Sequence, residues 1–167
     1  EPILPALMAS QIYARTTGVP ESFFDGPGAC AVALGEQDAP YDLDGIACMA
    51  MRQDSEFALT GRKSVVYGAE GADTVLVAAR LDGELALFEA KANTAQVIGY
   101  GMIDGGPAAE VIFDATPARR IDNGNATKAI QDALDAGGLA LAAEALGAME
   151  VTVQITADYL KTRKQFG

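Results

Sequence analysis

Leu139 to Met149 reads Leu-Ala-Leu-Ala-Ala-Glu-Ala-Leu-Gly-Ala-Met, apolar nearly all round a helical wheel, and it constrains the fold more than any other stretch. A helix without a polar face is buried on several sides. Nothing else in the sequence can cover it, so its cover is expected from segments beyond these 167 residues or from partner subunits.

This helix follows Asp122-Asn123-Gly124-Asn125, where turn residues give way to Ala- and Leu-rich text. Asn125 or Thr127 suits its N-cap. The pattern predicts one helix to about Lys164, ~57 Å long if unbroken. Ile130, Leu134, Leu141, Met149, Val153 and Leu160 give one stripe, and Gly137-Gly138 marks a kink or a close approach.

The text before it is β-like. Residues 29–34 form a short apolar run bounded by glycine, read as a buried strand. Residues 35–45 form an acidic loop, expected to be solvated surface. Further strands are predicted over 47–52, 56–60, 63–67, 74–80, 85–90, 95–103 and 109–113, with turn residues at the spacing of an antiparallel barrel or sandwich. Asp82-Gly83 between two of these runs predicts a tight hairpin. Near the start, Leu4, Leu7, Met8 and Ile12 at helical spacing predict a short helix after Pro5. The fold class expected is therefore an α+β fragment: an antiparallel β-barrel or sandwich followed by one long helix of an all-α bundle. Its divisions are 1–28 (helical end and linker), 29–124 (β-domain) and 125–167 (first bundle helix).

Several function classes fall away. The net charge of −11 argues against a nucleic-acid surface or an anionic membrane. No run approaches ~18 unbroken apolar residues, so no membrane span is expected. The opening Glu1-Pro2-Ile3 lacks a basic start and an initiator methionine, so both ends are expected to be cuts through a longer chain, and the location cytoplasmic. Cys30 and Cys48 each sit in an apolar run and are expected as buried thiols. With no histidine there is no Ser-His-Asp triad or imidazole metal ligand, which leaves acid–base work to carboxylate, Lys or Tyr. Gly99 to Gly105 misses the dinucleotide spacing by one residue, and Gly61-Arg62-Lys63-Ser64 lacks the first glycine of a phosphate loop; both are read as simple turns. Ser64 has no partner base in the sequence pattern.

The chain closes on Arg163-Lys164-Gln165-Phe166-Gly167 after a helix body of Ala143-Glu144-Ala145-Leu146-Gly147-Ala148-Met149. The three cations Lys161, Arg163 and Lys164 complement a helix C-terminus. Leu59-Thr60-Gly61-Arg62-Lys63-Ser64-Val65-Val66-Tyr67-Gly68, continued to Asp73 and followed by Thr74 to Arg80, and Ala33-Leu34-Gly35-Glu36 through Asp42, complete a pattern. Together these segments resemble the acyl-CoA dehydrogenase family: its middle β-domain plus the first helix of its C-terminal bundle, with drift similar to the bacterial branch that forms mixed tetramers on bulky steroid or dicarboxylic acyl-CoA substrates.

The resemblance implies FAD as cofactor and α,β-dehydrogenation of an acyl-CoA thioester, with hydride transfer to the flavin. It places Leu34, Gly35, Val65 and Tyr67 against the flavin, and Arg163 and Phe166 on the diphosphate and adenine half bound by a neighbouring subunit. Tyr41 falls near the acyl-CoA entrance and Asp135 near the CoA arm. One of the family's two base positions reads Gly137, so any base is expected outside this segment. Gly35 replaces a threonine, Val65 a tryptophan, Gly138 an arginine and Tyr41 a serine. The partners implied are acyl-CoA, further subunits of a homo- or hetero-oligomer, a tetramer by preference, and an electron-transfer flavoprotein. A catalytically silent subunit of a mixed tetramer, or a flavin monooxygenase on the same scaffold, are the alternatives. On each reading this fragment alone is expected to be inactive.

Overall fold

The computed structural model describes residues 3–23 and 29–165. Helix α1 (Ile3–Arg15) precedes strands β1 (Ala29–Ala33), β2 (Met49–Gln53), β3 (Glu56–Tyr67), β4 (Ala72–Leu81), β5 (Glu84–Lys91), β6 (Gln96–Gly101) and β7 (Pro107–Arg120), and helix α2 (Ala126–Thr162) closes the chain. Helix α1 starts two residues before Pro5, which sits in the first turn, where a missing N–H costs nothing.

The strands make one mixed sheet in which β4, β2, β3, β7 and β5 pair in sequence and β5 returns to β4, closing a ring. Strands β1 and β2 lie end to end along one edge of β4 and run parallel to it, whereas the other pairings are antiparallel, as the sequence predicted. The parallel pairs have a reason in the text of β4. Its stretch Val75 to Ala79 is wholly buried, the continuous apolar run of a strand covered on both faces. Asp82 and Gly83 turn β4 into β5 with φ of 53° and 88°, the left-handed pair that a two-residue hairpin needs.

Two expected breaks are bulges inside longer strands. The pieces predicted over 56–60 and 63–67 are one strand, β3, whose pairing with β7 shifts register between Leu59 and Gly61. Gly61 has φ 148°, and a Cβ there would lie 2.8 Å from the Cys48 Cα. Opposite it, β7 runs on past the predicted 109–113. Ala115 adopts φ 47°, and the Asp114 and Ala115 N–H groups donate to the hydroxyls of Thr116 and Thr60 instead of to the ladder. Pairing then resumes through Pro117 opposite Ala58. Gly61→Ala is expected to cost about 1–3 kcal/mol, because strain and a backbone clash coincide. Gly83→Ala, also at positive φ but with open space around it, is expected to cost less. Urea unfolding midpoints of the two variants test that order.

Helix α2 joins the sheet only by its first turns. Ala126, Ala129, Ile130, Ala133 and Gly137 are buried at helical spacing, and Gly137 permits the close approach: a Cβ there would meet Met8 Sδ at 3.2 Å. Arg15 pairs with Asp132 at 2.8 Å, and Asn125 donates to the Arg15 carbonyl at 2.6 Å instead of capping α2. Of the predicted stripe only Ile130 is buried. Leu141, Met149, Val153 and Leu160, with Leu139, Leu146, Val151 and Ile155, stand exposed on this chain. Helix α2 is long and apolar enough to cross a membrane by length and composition. Glu144 and Glu150 interrupt its apolar stretch, and an acidic residue at mid-bilayer costs about 2.5 kcal/mol or more.

Candidate functional site

A cleft of about 750 Å³ opens where α1 and α2 face the sheet, within the usual range of small-molecule sites. Leu4, Pro5 and Met8 of α1, with Leu134 and Leu141 of α2, form one wall. The segment 34–37 after β1 and residues 62–67 of β3 form the other. This brings Leu34, Gly35, Val65 and Tyr67 together on one surface, with Tyr41, nearly fully exposed, at the mouth. Val65 has φ 54° at a register shift of β3, a left-handed conformation that β-branched residues rarely adopt. Its N–H donates to the Tyr100 hydroxyl at 3.2 Å, a contact outside the ladder.

The other predicted residues lie elsewhere. Asp135 follows the cleft-lining Leu134 but is exposed and accepts from Gln131 Nε2 at 2.9 Å. Arg163 ends α2, its guanidinium 5.2 Å from the Tyr159 ring centre. It lies 22 residues beyond Leu141, roughly 33 Å along the axis, and does not reach the cleft of its own chain. Phe166 falls outside the described residues.

Beneath the cleft is a pair that the sequence reading missed. Lys63 is fully buried and donates to Glu36 Oε1 at 2.7 Å and to the Leu34 carbonyl at 3.0 Å. Glu36 was expected to be solvated with the rest of its loop. Instead it is 7% exposed and also accepts the Ala47 and Cys48 N–H groups at 2.8 and 3.0 Å. Burial works against ionising Glu36, but the Lys63 ammonium and the two backbone donors outweigh it and hold its carboxyl below the ordinary value. Burial also pulls the Lys63 ammonium below its usual value, partly offset by Glu36. The signal was in the alternation: Leu59, Gly61 and Lys63 share one face of β3, and Leu59 is core. Asp38, Asp42 and Asp44 are exposed as expected, and no metal-binding cluster occurs among the described residues. Cys30 and Cys48 are buried free thiols; burial pushes them up to about 12 and about 11.

A second network lines the cleft. Glu110 of β7 accepts from Arg62 Nε at 2.7 Å, from Ser64 Oγ at 2.8 Å and from the Tyr100 hydroxyl at 3.0 Å. Burial raises its pKa, but these three donors outweigh that and hold the carboxyl below the ordinary range. The cleft carboxylates among the described residues, Glu36 and Glu110, are thus both committed as ionised acceptors, and α2 offers Gly137 where a side chain would meet α1. The cleft-lining residues can bind and orient a flat, largely apolar ligand, but both of their carboxylates, Glu36 and Glu110, are already engaged.

No family model matches the chain. It is 28% identical over 154 residues to the mitochondrial isovaleryl-CoA dehydrogenase of Arabidopsis thaliana, covering 82% of this chain and 37% of that protein. Its fold matches a variant of the Tcur3481-Tcur3483 steroid ACAD at a TM-score of 0.82 and 30% identity, covering 99% of this chain and 46% of that one. A Bacillus anthracis acyl-CoA dehydrogenase solved with FAD matches at a TM-score of 0.73 and 23% identity, covering 81% of this chain and 25% of that one. The chain thus spans less than half the length of each of these relatives.

Proposed function

Since this chain belongs to the acyl-CoA dehydrogenase family, we propose that it is part of an FAD-dependent subunit acting on an acyl-CoA thioester, with its cleft against the isoalloxazine ring. One observation carries the reading: the four residues that the family pattern assigns to the flavin lie on one wall of a single cleft of suitable size. They come from two separate segments, and only the fold brings them together.

The residues present fit such a group. Leu34 and Val65 offer apolar contact to a ring, Tyr67 a phenol, and Leu4, Met8, Leu134 and Leu141 close the opposite side. FAD, when bound, supplies the hydride acceptor. The chain's own part is to bind the ring, exclude water with the α1–α2 wall and fix orientation through the 34–37 backbone. The proton acceptor is assigned to the remainder of the protein or to another subunit, because Glu36 and Glu110 are already engaged. Arg163 is assigned to a neighbouring subunit's cofactor, given its distance from its own cleft. The exposed apolar half of α2 is assigned to the cover that such an assembly provides. An electron-transfer flavoprotein is the proposed acceptor of the electrons.

A second reading, a silent subunit that completes a partner's site, is favoured by Gly137, which places no acid on α2 beside α1. The visible spectrum of the full-length protein, purified with any co-encoded partner, separates the two. Flavin bands that bleach anaerobically with an acyl-CoA mixture are expected for the dehydrogenase. Flavin held solely by the partner would establish the silent role.

A further inference from the structure

Ser64 and Val65 form a bulge in β3. From Lys63 to Val66 the strand advances three residues while β7 advances two, from Val111 to Ala109, so one residue of β3 is extra. The bulge takes two N–H groups out of the ladder: that of Ser64 donates to the Gly35 carbonyl at 3.0 Å, and that of Val65 to the Tyr100 hydroxyl at 3.2 Å. Val65 has φ 54°, a backbone that a branched Cβ disfavours and that persists only where its surroundings fix it. The register supplies the fixing groups. Glu110 stands opposite Ile98 of β6, and Tyr100, two residues on, is its diagonal neighbour, within reach of an aromatic side chain. Arg62, opposite Ile112, is the diagonal neighbour of Glu110 on the β3 side. A phenol has one proton to donate. Tyr100 gives it to Glu110 Oε1 at 3.0 Å, which leaves its lone pairs for the Val65 N–H. Ser64 Oγ and Arg62 Nε hold Glu110 Oε2 at 2.8 and 2.7 Å, so the carboxylate is itself fixed from β3.

We propose that Tyr100, oriented by Glu110, is a positioning residue for the cleft ligand: its hydroxyl keeps residue 65 left-handed and so fixes the Val65 side chain on the wall against which the flavin ring packs. This deepens the flavin reading and rests on it. Arg62, Ser64, Val65 and Glu110 line the cleft, whereas Tyr100 is not on its wall and acts through residue 65. Holding β6 in the sheet does not need the hydroxyl, since Gln96 to Gly101 are already paired with β7. What the hydroxyl adds is the shape of the bulge. A wall set before the ligand arrives costs little reorganisation on binding.

FAD titration of four full-length proteins, with urea unfolding midpoints measured alongside, tests this: wild type, Tyr100→Phe, Val65→Asn and the double variant. Phenylalanine keeps the ring and removes only the hydroxyl, and asparagine adopts the left-handed backbone more readily than valine does. Tyr100→Phe is expected to raise the FAD dissociation constant about tenfold in the wild-type background, the loss of roughly one hydrogen bond. In the Val65→Asn background, where residue 65 needs less holding, the same substitution is expected to raise it less than about twofold. Comparison within each background removes the effect of asparagine on the ring contact itself. An equal weakening in both backgrounds would mean that the hydroxyl does not act through residue 65, and overturns the proposal. A lowered unfolding midpoint with unchanged FAD affinity in Tyr100→Phe would mark a merely structural hydroxyl, and overturns it too. If the wild type takes up no FAD, the flavin reading falls, and a crystal structure of the Tyr100→Phe variant decides the positioning by itself. There φ at Val65 is expected to turn negative, and a φ that stays positive overturns the positioning.

Discussion

Lys63→Met is expected to remove about 3–5 kcal/mol of folding stability, the usual cost of leaving one member of a buried ion pair without its partner. Methionine fills nearly the same volume, so the loss is electrostatic. Glu36 would stay buried with two backbone donors and no counter-charge, and the Leu34 carbonyl would lose its donor. Adding Glu36→Gln should recover a large part of that loss, although replacing both charges does not restore every hydrogen bond. Urea unfolding of the wild type, the single and the paired variant gives the three values. A single-variant loss below about 1 kcal/mol, the range of an exposed pair, would contradict the burial of Lys63.

Asp122→Ala is expected to cost about 2–4 kcal/mol. Its side chain is fully buried where β7 turns toward α2. It accepts the Leu87 and Gly124 N–H groups, each at 2.8 Å, and both arms of the Arg120 guanidinium at 3.0 and 2.9 Å. Truncation leaves a buried donor of β5 unpaired and releases the turn that aims α2 at α1. Burial opposes ionisation of Asp122, but Arg120 and the two backbone donors hold its carboxyl below the ordinary value. Glu36 is depressed in the same sense. The unfolded state therefore binds more protons, and the stability these groups contribute is present above the unfolded values, about 4, and is lost as pH falls through the folded ones. Urea midpoints that drop between about pH 5 and pH 3 in the wild type, and drop less in Asp122→Ala, are the expected pattern.

Much of this architecture was legible in the sequence because the signals were local. Asp82-Gly83 announced its hairpin, and the apolar run of 29–34 its strand. The text from Ala126 onward predicted a helix of nearly the observed length. What escaped was set by long-range pairing. Gly61 read as a break between two strands, and the strand predicted over 109–113 read as ending there, yet a bulge lets β3 and β7 continue past both points. Glu36 read as loop surface because its partner, 27 residues on, is brought to it by β1 and β3. The cleft itself joins α1, the loop after β1, β3 and α2, and no single stretch carries it. Only the family pattern named the residues on its wall, and the fold places Arg163 far from them.

In the proposed function the cleft between the α1–α2 wall and residues 34–37 and 62–67 holds the flavin. Val65→Arg tests it most directly. Val65 is 45% exposed on the cleft wall, and its backbone is already left-handed, so a longer polar side chain fits the fold but fills the space of the ring. FAD titration of the full-length variant and wild type, with unfolding midpoints measured alongside, should show equal stability and an affinity at least ~100-fold weaker in the variant, a loss of about 2.7 kcal/mol. Wild-type FAD affinity in a folded Val65→Arg protein would place the flavin elsewhere and contradict the account.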